Sequence, residues 1–507
     1  MFKELLKGAF IILFVSVVAK IISYITEAIL ASILGASDIG DAYFMVIGIQ
    51  YVLYPMLSVG IWKVFLPIYK KIQVADQKVR LNMFSDTIIT IFIVLSIITV
   101  GGIMCFSSRI VSVIAPGFSY DTKAMCSRLL FVSTPMYIFI VIAAIYAAML
   151  QCHNKFFASQ IREVISHLPT IIVCLFLYKK YGYISLGYGL LLGGISRLAI
   201  ELFFVDWKYR FKPRVIINKD MFAFFKAFPA TFIAEGVIHL NMMIDKIMAS
   251  TLATGAISVL NYGSRLTNVL SGLVSNSLAT AFYPKMSELI ARKQFDKLSS
   301  AVNTLIKLYC LIIIPISIGC IAFRTEIVSV AFQRGQFDGS SVAMTAGTFS
   351  CYSSGLFFLA SNTIFNNILY SYGETKKTMY VSIYNLVINV IANLMLISAF
   401  KANGLAIATS IAAFLTFFIR IYYMRGLVSI NLKTISIRFV TILFVSALIC
   451  FAAKRIVFYF PVNKYILLSL EVVICSALYL CFLFFSKFSE IVFFSDLIKS
   501  KLKKRVS

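Results

Sequence analysis

The chain consists of long apolar runs separated by short, mostly basic interruptions. A membrane-crossing helix needs about 20 predominantly apolar residues. Such runs fall near 8–34, 42–67, 83–106, 127–151, 157–178, 183–205, 223–249, 257–284, 300–322, 343–370, 376–400, 403–424, 435–458 and 464–486, which predicts fourteen spans. The first stretch, MFKELLKGAFIILFVSVVAK, has the basic start and apolar run of a secretory signal. Its apolar character continues past Lys20 to about Leu34 with no clear cleavage site ahead of a soluble domain, so it is expected to stay as the first helix. The longest loops, around 68–82, 206–222 and 285–299, are basic and too short for a folded extramembrane domain.

A second pattern lies over the first. The letters IVSV occur at Ile110 to Val113 and again at Ile327 to Val330. Upstream, Phe65-Leu66-Pro67 falls against Phe282-Tyr283-Pro284, and Ile29 to Ser32 against Ile247 to Ser250. Downstream, Phe118 falls against Phe337 after a two-residue insertion. A register of about 217 residues is too long for a solenoid and suits a duplicated half-protein. Spans 1–6 recur as spans 7–12, and because six is even both halves insert in the same direction. The predicted fold is an all-α polytopic membrane protein with two parallel six-helix lobes related by pseudo-twofold symmetry, 1–206 and 207–425. Residues 426–507 add two further transmembrane helices and a basic tail. Two such lobes enclose a cleft, and rocking one against the other gives alternating access.

Composition supports the membrane assignment. Hydrophobic residues make up 60% of the chain and mean hydropathy is +0.91, whereas soluble domains are roughly half apolar and about a quarter charged. Charged residues are only 13%, yet the net charge is +26, so the charges gather in the loops. With loops assigned alternately to two sides, the side holding both termini collects residues such as Lys70, Lys71, Lys155, Lys208, Lys212, Arg292, Lys376, Arg420, Arg425 and the tail Lys499 to Arg505. It outnumbers the other side roughly three to one, which places both termini in the cytoplasm. The ten cysteines include no CxxC pair and mostly sit in apolar runs, as packing residues.

Ionisable or amide side chains inside spans are costly in hydrocarbon and face a cavity or each other. The candidates are Lys20 and Glu27 in span 1, Arg197 and Glu201 in span 6, Glu235, His239, Asp245 and Lys246 in span 7, and Arg265 in span 8. Asn366, Asn367, Asn385, Asn389 and Asn393 follow in spans 10 and 11. Arg197 and Glu201, four apart, are expected to neutralise each other along one helix. Lys246 has two readings, snorkelling to the interface or lining the cavity. His239 is expected to bond within the bundle, and the asparagine stripe to serve as interhelical glue or as a site. Arg265 has no acid three or four positions away and is the strongest cavity candidate.

The stretches ILASILGASDIGDAYF, IAPGF, NYGSRLTNVLSGLVSNSLATAFYPKMSELIA, AFQRGQFD and FNNILYSYGETKKTMYVSIYNLVINVIANLML resemble the MurJ/MviN family of lipid II flippases. That family belongs to the superfamily of multidrug, oligosaccharidyl-lipid and polysaccharide exporters. The resemblance runs from about residue 15 to about 425 and extends in topology to the last two spans. It implies a cationic cavity whose arginines hold the pyrophosphate of an undecaprenyl-linked disaccharide-peptide, and a groove at spans 13 and 14 for the lipid tail. Arg265 matches the family's span 8 arginine, Asp41 the acid of its D-A-F stretch and Glu27 the acid ending its first-helix motif. Lys20 falls where that motif has its first arginine, and Lys246 completes the expected cavity set. Thr26 and Tyr54 stand where the family has two further arginines, so the cationic cluster is smaller here. The resemblance also implies a sodium site at Asp245, Asn389, Asn393 and Thr409, with Asn393 where a sodium-binding relative has an acid.

The expected function is therefore a flippase for lipid II in the bacterial inner membrane, not an enzyme, with no organic cofactor and with a sodium ion or the membrane potential as driving force. Expected partners are a polyprenyl-pyrophosphate-linked saccharide, membrane lipids and other cell-wall or glycan assembly proteins, with no nucleic acid. The alternatives are a flippase for another polyprenyl-linked glycan, such as an exopolysaccharide or O-antigen unit, and a cation-coupled drug exporter. The exporter would need acids where spans 1 and 8 offer bases. A glycan polymerase or glycosyltransferase usually carries a sizeable outer loop or an acidic metal motif, and neither is visible.

The basic residues of 206–222 oppose translocation. In a background lacking the native cysteines, a cysteine placed in this loop is expected to resist an impermeant thiol reagent added to intact cells. Efficient labelling reverses the orientation.

Overall fold

The computed structural model describes residues 2–153, 155–205, 209–372, 374–457, 463–486 and 488. Lys208 and the tail Lys499 to Arg505 lie outside the described residues. The first half runs α1 (Phe2–Leu34), α2 (Asp38–Val74), α3 (Lys78–Cys105), α4 (Ser107–Ile114), α5 (Tyr120–Ser133), α6 (Met136–Cys152), α7 (Phe156–Ile172), a π turn (Val173–Leu177), α8 (Tyr178–Tyr181) and α9 (Ile184–Phe204). The second half runs α10 (Lys219–Ala249), α11 (Ala256–Ala291), α12 (Phe295–Ala322), α13 (Arg324–Phe332), α14 (Gly339–Ser354), α15 (Leu356–Ser371) and α16 (Thr375–Met424), followed by α17 (Leu432–Val457) and α18 (Lys464–Ser486).

Among the described residues, nine helices are long and apolar enough to cross a membrane, and two bent pairs bring the number to eleven. α16 counts once there but holds both expected spans 11 and 12, run together as 50 residues with a single non-helical residue, Lys401, at φ 50°. The long helices α10 and α11 fill positions seven and eight, so the element order accommodates fourteen spans.

The duplication is visible in helix lengths. α3 and α12 are both 28 residues long, and α2 and α11 have 37 and 36. The two IVSV segments are the short helices α4 and α13. Each is followed by a broken span, α5–α6 bent by 42° and α14–α15 bent by 45°. The first break falls at Pro135, whose ring removes a backbone donor.

By packing, Met1–Ser258 with Arg334–Phe337 forms one compact unit, and Val259–Gln333 with Asp338–Ser507 the other. α10, which the repeat counts as the first span of the second lobe, thus packs in the first unit, along α2. Polar ties hold it there: Asp220 to Arg80 Nε at 2.6 Å, Glu235 Oε1 to Lys63 Nζ at 2.5 Å, and Lys246 Nζ to the Phe44 carbonyl at 2.5 Å. Between them the core is aromatic, with Phe84 and Phe92 of α3 against Phe224 and Phe92 against Phe228 of α10. The second unit has its own aromatic core, in which Phe357 and Phe365 meet Phe417.

Residues 209–218, ahead of α10, belong to no helix, so their backbone donors need partners from elsewhere. α3 supplies them. The N–H groups of Lys212, Arg214 and Ile216 donate to the side chains of Asp86 (3.3 Å), Thr90 (3.2 Å) and Thr87 (3.1 Å). Asp86, 1% exposed, also accepts from Tyr209 Oη at 2.7 Å and pairs with Arg214 Nη2 at 2.6 Å. Removing one partner of a buried ion pair leaves the other uncompensated, at a cost of about 3–5 kcal/mol. Asp86→Ala is expected to lower the unfolding temperature markedly in a fluorescence-monitored melt in detergent, and Asp86→Asn, which keeps an acceptor, to lower it less. Arg80→Ala, at an exposed pair, is expected to leave it nearly unchanged.

Candidate functional site

In the first unit three candidate charges come together from three helices. Lys246 of α10 is 9% exposed, and its Coulombic partners are Glu27 of α1 and Asp41 of α2. The lysine does not snorkel; it donates to a backbone carbonyl of α2, and its charge stays inside. Asp41 is buried and turned to the start of α11: one oxygen accepts from the N–H and the hydroxyl of Ser258, each at 2.7 Å, and the other from the Gly255 N–H at 2.7 Å. A carboxylate there satisfies orphan donors and the positive end of the helix dipole. Ser258 is the residue that stands at Asp41's position in the second repeat, so the acid binds its own repeat counterpart.

Lys20 lies seven residues before Glu27, close to two turns, and so on the same face of α1. Lys20 is exposed and Glu27 buried, so that face passes from open to enclosed along the helix. Asp245 is buried beside Lys246 in sequence. Thr26, at a family arginine position, is buried and donates to the Ile22 carbonyl at 2.8 Å. Tyr54, at the other, lies under the Arg197 guanidinium, 5.2 Å from ring centroid to Cζ.

Arg197 does not pair with Glu201 along α9 as its spacing suggested. It pairs with Glu163 of α7, and Glu201 Oε1 instead accepts from Arg162 Nη1 at 3.4 Å. Crossed pairs between adjacent helices hold all four charges within one bundle. Glu235 is likewise committed to Lys63. His239 is half-buried and its Nδ1 has no hydrogen-bond partner among the described residues, which departs from the expected bond within the bundle.

The family-like motifs IAPGF and QRGQF are places of close backbone approach. A side chain on Gly117 would come within 2.3 Å of the Ser250 carbonyl oxygen at the end of α10, and one on Gly335 within 2.2 Å of the Ser32 carbonyl oxygen near the end of α1. Gly335 also has φ +56°, a region that L side chains avoid. The two contacts are equivalent under the repeat, each glycine packing on the first span of the other half. The Gln336 N–H to the Ser32 carbonyl, at 2.8 Å, closes the second of them.

In the second unit Gly263 fixes the rotation of α11. A Cβ there would lie 2.6 Å from Thr348 Oγ1, and the Thr348 hydroxyl donates to the Val259 carbonyl at 3.0 Å. Tyr262, Leu266 and Thr267 are buried, Tyr262 against Phe332 of α13, while Arg265 is half-exposed and Asn268 exposed. Asn389, Asn393 and Thr409 do come together in α16: Asn393 Nδ2 donates to Asn389 Oδ1 at 3.0 Å, and Asn389 Nδ2 to Thr409 Oγ1 at 3.3 Å. Three of the four residues implied for a sodium site thus share one hydrogen-bonded cluster, in which Asn389 Oδ1 is engaged by Asn393. Asp245 belongs to the other unit.

Besides Asp86, intramembrane charges outside the candidate list include Arg420 and Glu471. Arg420, counted with the cytoplasmic bases, is 6% exposed and bonds Asn366 Oδ1 at 3.0 Å and the Thr416 carbonyl at 3.5 Å. Glu471 is buried in α18. Both stand in apolar runs, so the rule that selected Arg265 could have found them.

A family model described as lipid II flippase MurJ matches residues 30–474. A probable lipid II flippase MurJ from Rickettsia prowazekii is 27% identical over 420 residues, covering 81% of this chain and 82% of the relative. One from Thermotoga maritima is 24% identical over 419 residues, covering 82% of each. Among solved structures, a lipid II flippase MurJ in an inward closed conformation matches with a TM-score of 0.81 at 25% identity, over 96% of this chain and 99% of that one. An inward-facing multidrug resistance MATE family transporter shares the fold at 13% identity, with a TM-score of 0.68 over 83% of this chain and 95% of that one. With family model and fold in agreement over most of its length, the chain belongs to the MurJ lipid II flippase family.

Proposed function

We propose that this protein carries lipid II, the undecaprenyl-pyrophosphate-linked precursor of peptidoglycan, from the inner to the outer leaflet of the bacterial cytoplasmic membrane by alternating access. Family membership over 30–474 supports the cargo and the process. The observation that carries the residue-level reading is that Arg265, a cation within a long membrane helix, is half-exposed on α11. A guanidinium offers a fixed fork of donors to phosphate oxygens, so this position suits a pyrophosphate. Lys20, exposed on α1, supplies a second cation. Glu27, Lys246 and Asp41 cluster within the first unit, where Asp41 holds the start of α11. Both termini face the cytoplasm in this reading, and the protein makes and breaks no covalent bond. The driving force is the membrane potential or an ion gradient, and no step is routed through sodium at the asparagine triad.

A second reading keeps the mechanism and changes the glycan. Thr26 and Tyr54 reduce the cationic cluster, which favours a polyprenyl-linked cargo other than lipid II. A drug-cation exporter is disfavoured by bases at spans 1 and 8, and the transporter likeness at 13% identity is one of fold alone.

Complementation of a lipid II flippase-depleted strain tests the proposal, with membrane abundance measured in parallel. Wild type is expected to restore growth and Arg265→Ala to lose it, through a cargo contact worth about 1.5–3 kcal/mol, the range for hydrogen bonds to charged groups. Arg265→Lys is expected to be partly impaired and Arg265→Glu inactive. Full activity of Arg265→Ala at normal abundance makes the arginine structural. Failure of the wild type, with transport of another polyprenyl-linked glycan in proteoliposomes, selects the second reading.

A further inference from the structure

The last helix buries an acid. α18 is apolar and largely exposed along its length, yet among its described residues the buried one is Glu471, 2% exposed. Its Oε2 has no hydrogen-bond partner among the described residues. α17 and α18 form an antiparallel pair in which Cys475 Sγ lies 4.0 Å from Cys450 Sγ. One turn further toward the connection between them, the same register sets Lys454 opposite Glu471.

Lys454 is nevertheless turned elsewhere. Its Nζ lies 3.4 Å from Glu326 Oε1 of α13 and donates to the Ala322 carbonyl at 2.9 Å. The other oxygen of Glu326, Oε2, is also without a hydrogen-bond partner. Glu326 and Lys454 are the charges acting on Glu471. The thiols of Cys450 on α17 and Cys475 on α18 itself also feel the charge of Glu471, and the same elements carry Arg324 on α13, Arg438 and Arg455 on α17 and Lys464 on α18. Lys454 is 52% and Glu326 21% exposed, but Glu471 is enclosed, so two carboxylates sharing one ammonium leave a surplus negative charge whose cost falls on the buried acid. One proton resolves both this charge and the unpartnered oxygens. It removes the surplus charge and turns Glu471 into an O–H donor, for which Glu326 Oε2 is a free acceptor.

We propose that Glu471, Glu326 and Lys454 form a proton-binding site that docks α18 onto α13 and α17. The step is one proton transfer from hydronium to Glu471 Oε2, releasing water. A metal ion is a poorer occupant, because no group of three or more His, Cys, Asp or Glu residues among the described residues is arranged to hold one. Uptake of the proton holds the helix in place, and its loss leaves a charge that water must solvate, which loosens the seam. This site is independent of the cargo.

Infrared difference spectra of the full-length protein in liposomes, taken between acidic and alkaline buffer, test the proton directly. A C=O stretching band of a buried carboxylic acid is expected in the wild type, lost in Glu471→Gln and shifted in Glu326→Gln. An unchanged band in Glu471→Gln overturns the assignment, as does a wild-type band that vanishes when sodium replaces choline at fixed pH. The native pair Cys450 and Cys475 reports docking, through disulfide formation by a mild oxidant quantified by peptide mass spectrometry. Wild-type cross-linking relative to Glu471→Gln is expected to be lost as pH rises, since the thiol chemistry common to both cancels in the ratio. A constant ratio overturns the docking role. If Glu471→Gln inserts poorly, Lys454→Met carries this arm: without the ammonium the balance between protonated and ionised Glu471 changes, so the pH at which cross-linking is lost must move, and an unaltered profile overturns the proposal.

Discussion

A charge placed in a bilayer costs several kcal/mol unless a partner, a cavity or water compensates it. Much of this protein's architecture follows from how that requirement is met. Asp86 gathers Tyr209, Arg214 and a backbone N–H around one carboxylate, and in doing so fastens the connection between the two repeats to α3. Arg162, Glu163, Arg197 and Glu201 close into crossed pairs that bind α7 to α9. Asp41 spends its charge on the first turn of α11. Arg265 differs from these in its surroundings, half-exposed on α11 of the second unit.

The duplication explains which contacts recur, and the charges explain why packing does not follow it strictly. Gly117 on the end of α10 and Gly335 on the end of α1 are one contact made twice, each half supplying the glycine that the other's first span needs. Asp41 and Ser258 began as equivalent positions, and only one now carries an acid. A twofold pair of acids would repel across that short distance; an acid facing a hydroxyl and a helix N-terminus attracts. Divergence between the repeats has thus converted a symmetric position into a directional bond.

Span order, helix lengths and the internal repeat were legible from sequence because the bilayer imposes apolar runs of a fixed minimum length, and because duplication conserved those lengths, as in α3 and α12. Partner choice was not legible. Arg197 has an acid four residues away on its own helix but takes Glu163, 34 positions distant, because neighbouring helices present their charges closer than the helical spacing does. Asp86 finds Tyr209 at a separation of 123 residues. Lys246 was ambiguous for a related reason: a lysine near a span end can reach either the interface or a carbonyl, and only the path of α2 decides. The two halves of α16 looked separate because polar residues interrupt the run near Lys401, yet one residue with positive φ suffices to turn the chain there.

The ties along α10 differ in kind, and the difference has a direction. At its start and middle the bonds are ion pairs whose basic partners, Arg80 and Lys63, are about half exposed, with side-chain accessibilities of 47% and 48%. Solvent screens the basic side of each pair, while the acids, Asp220 at 14% and Glu235 at 9%, are largely enclosed. At its far end Lys246 is enclosed, bonded to a carbonyl and flanked in charge by Glu27 and Asp41, and releasing it would strand a cation away from water. α10 is therefore tied through half-exposed bases and aromatic packing where it enters the unit, and through an enclosed lysine where it leaves.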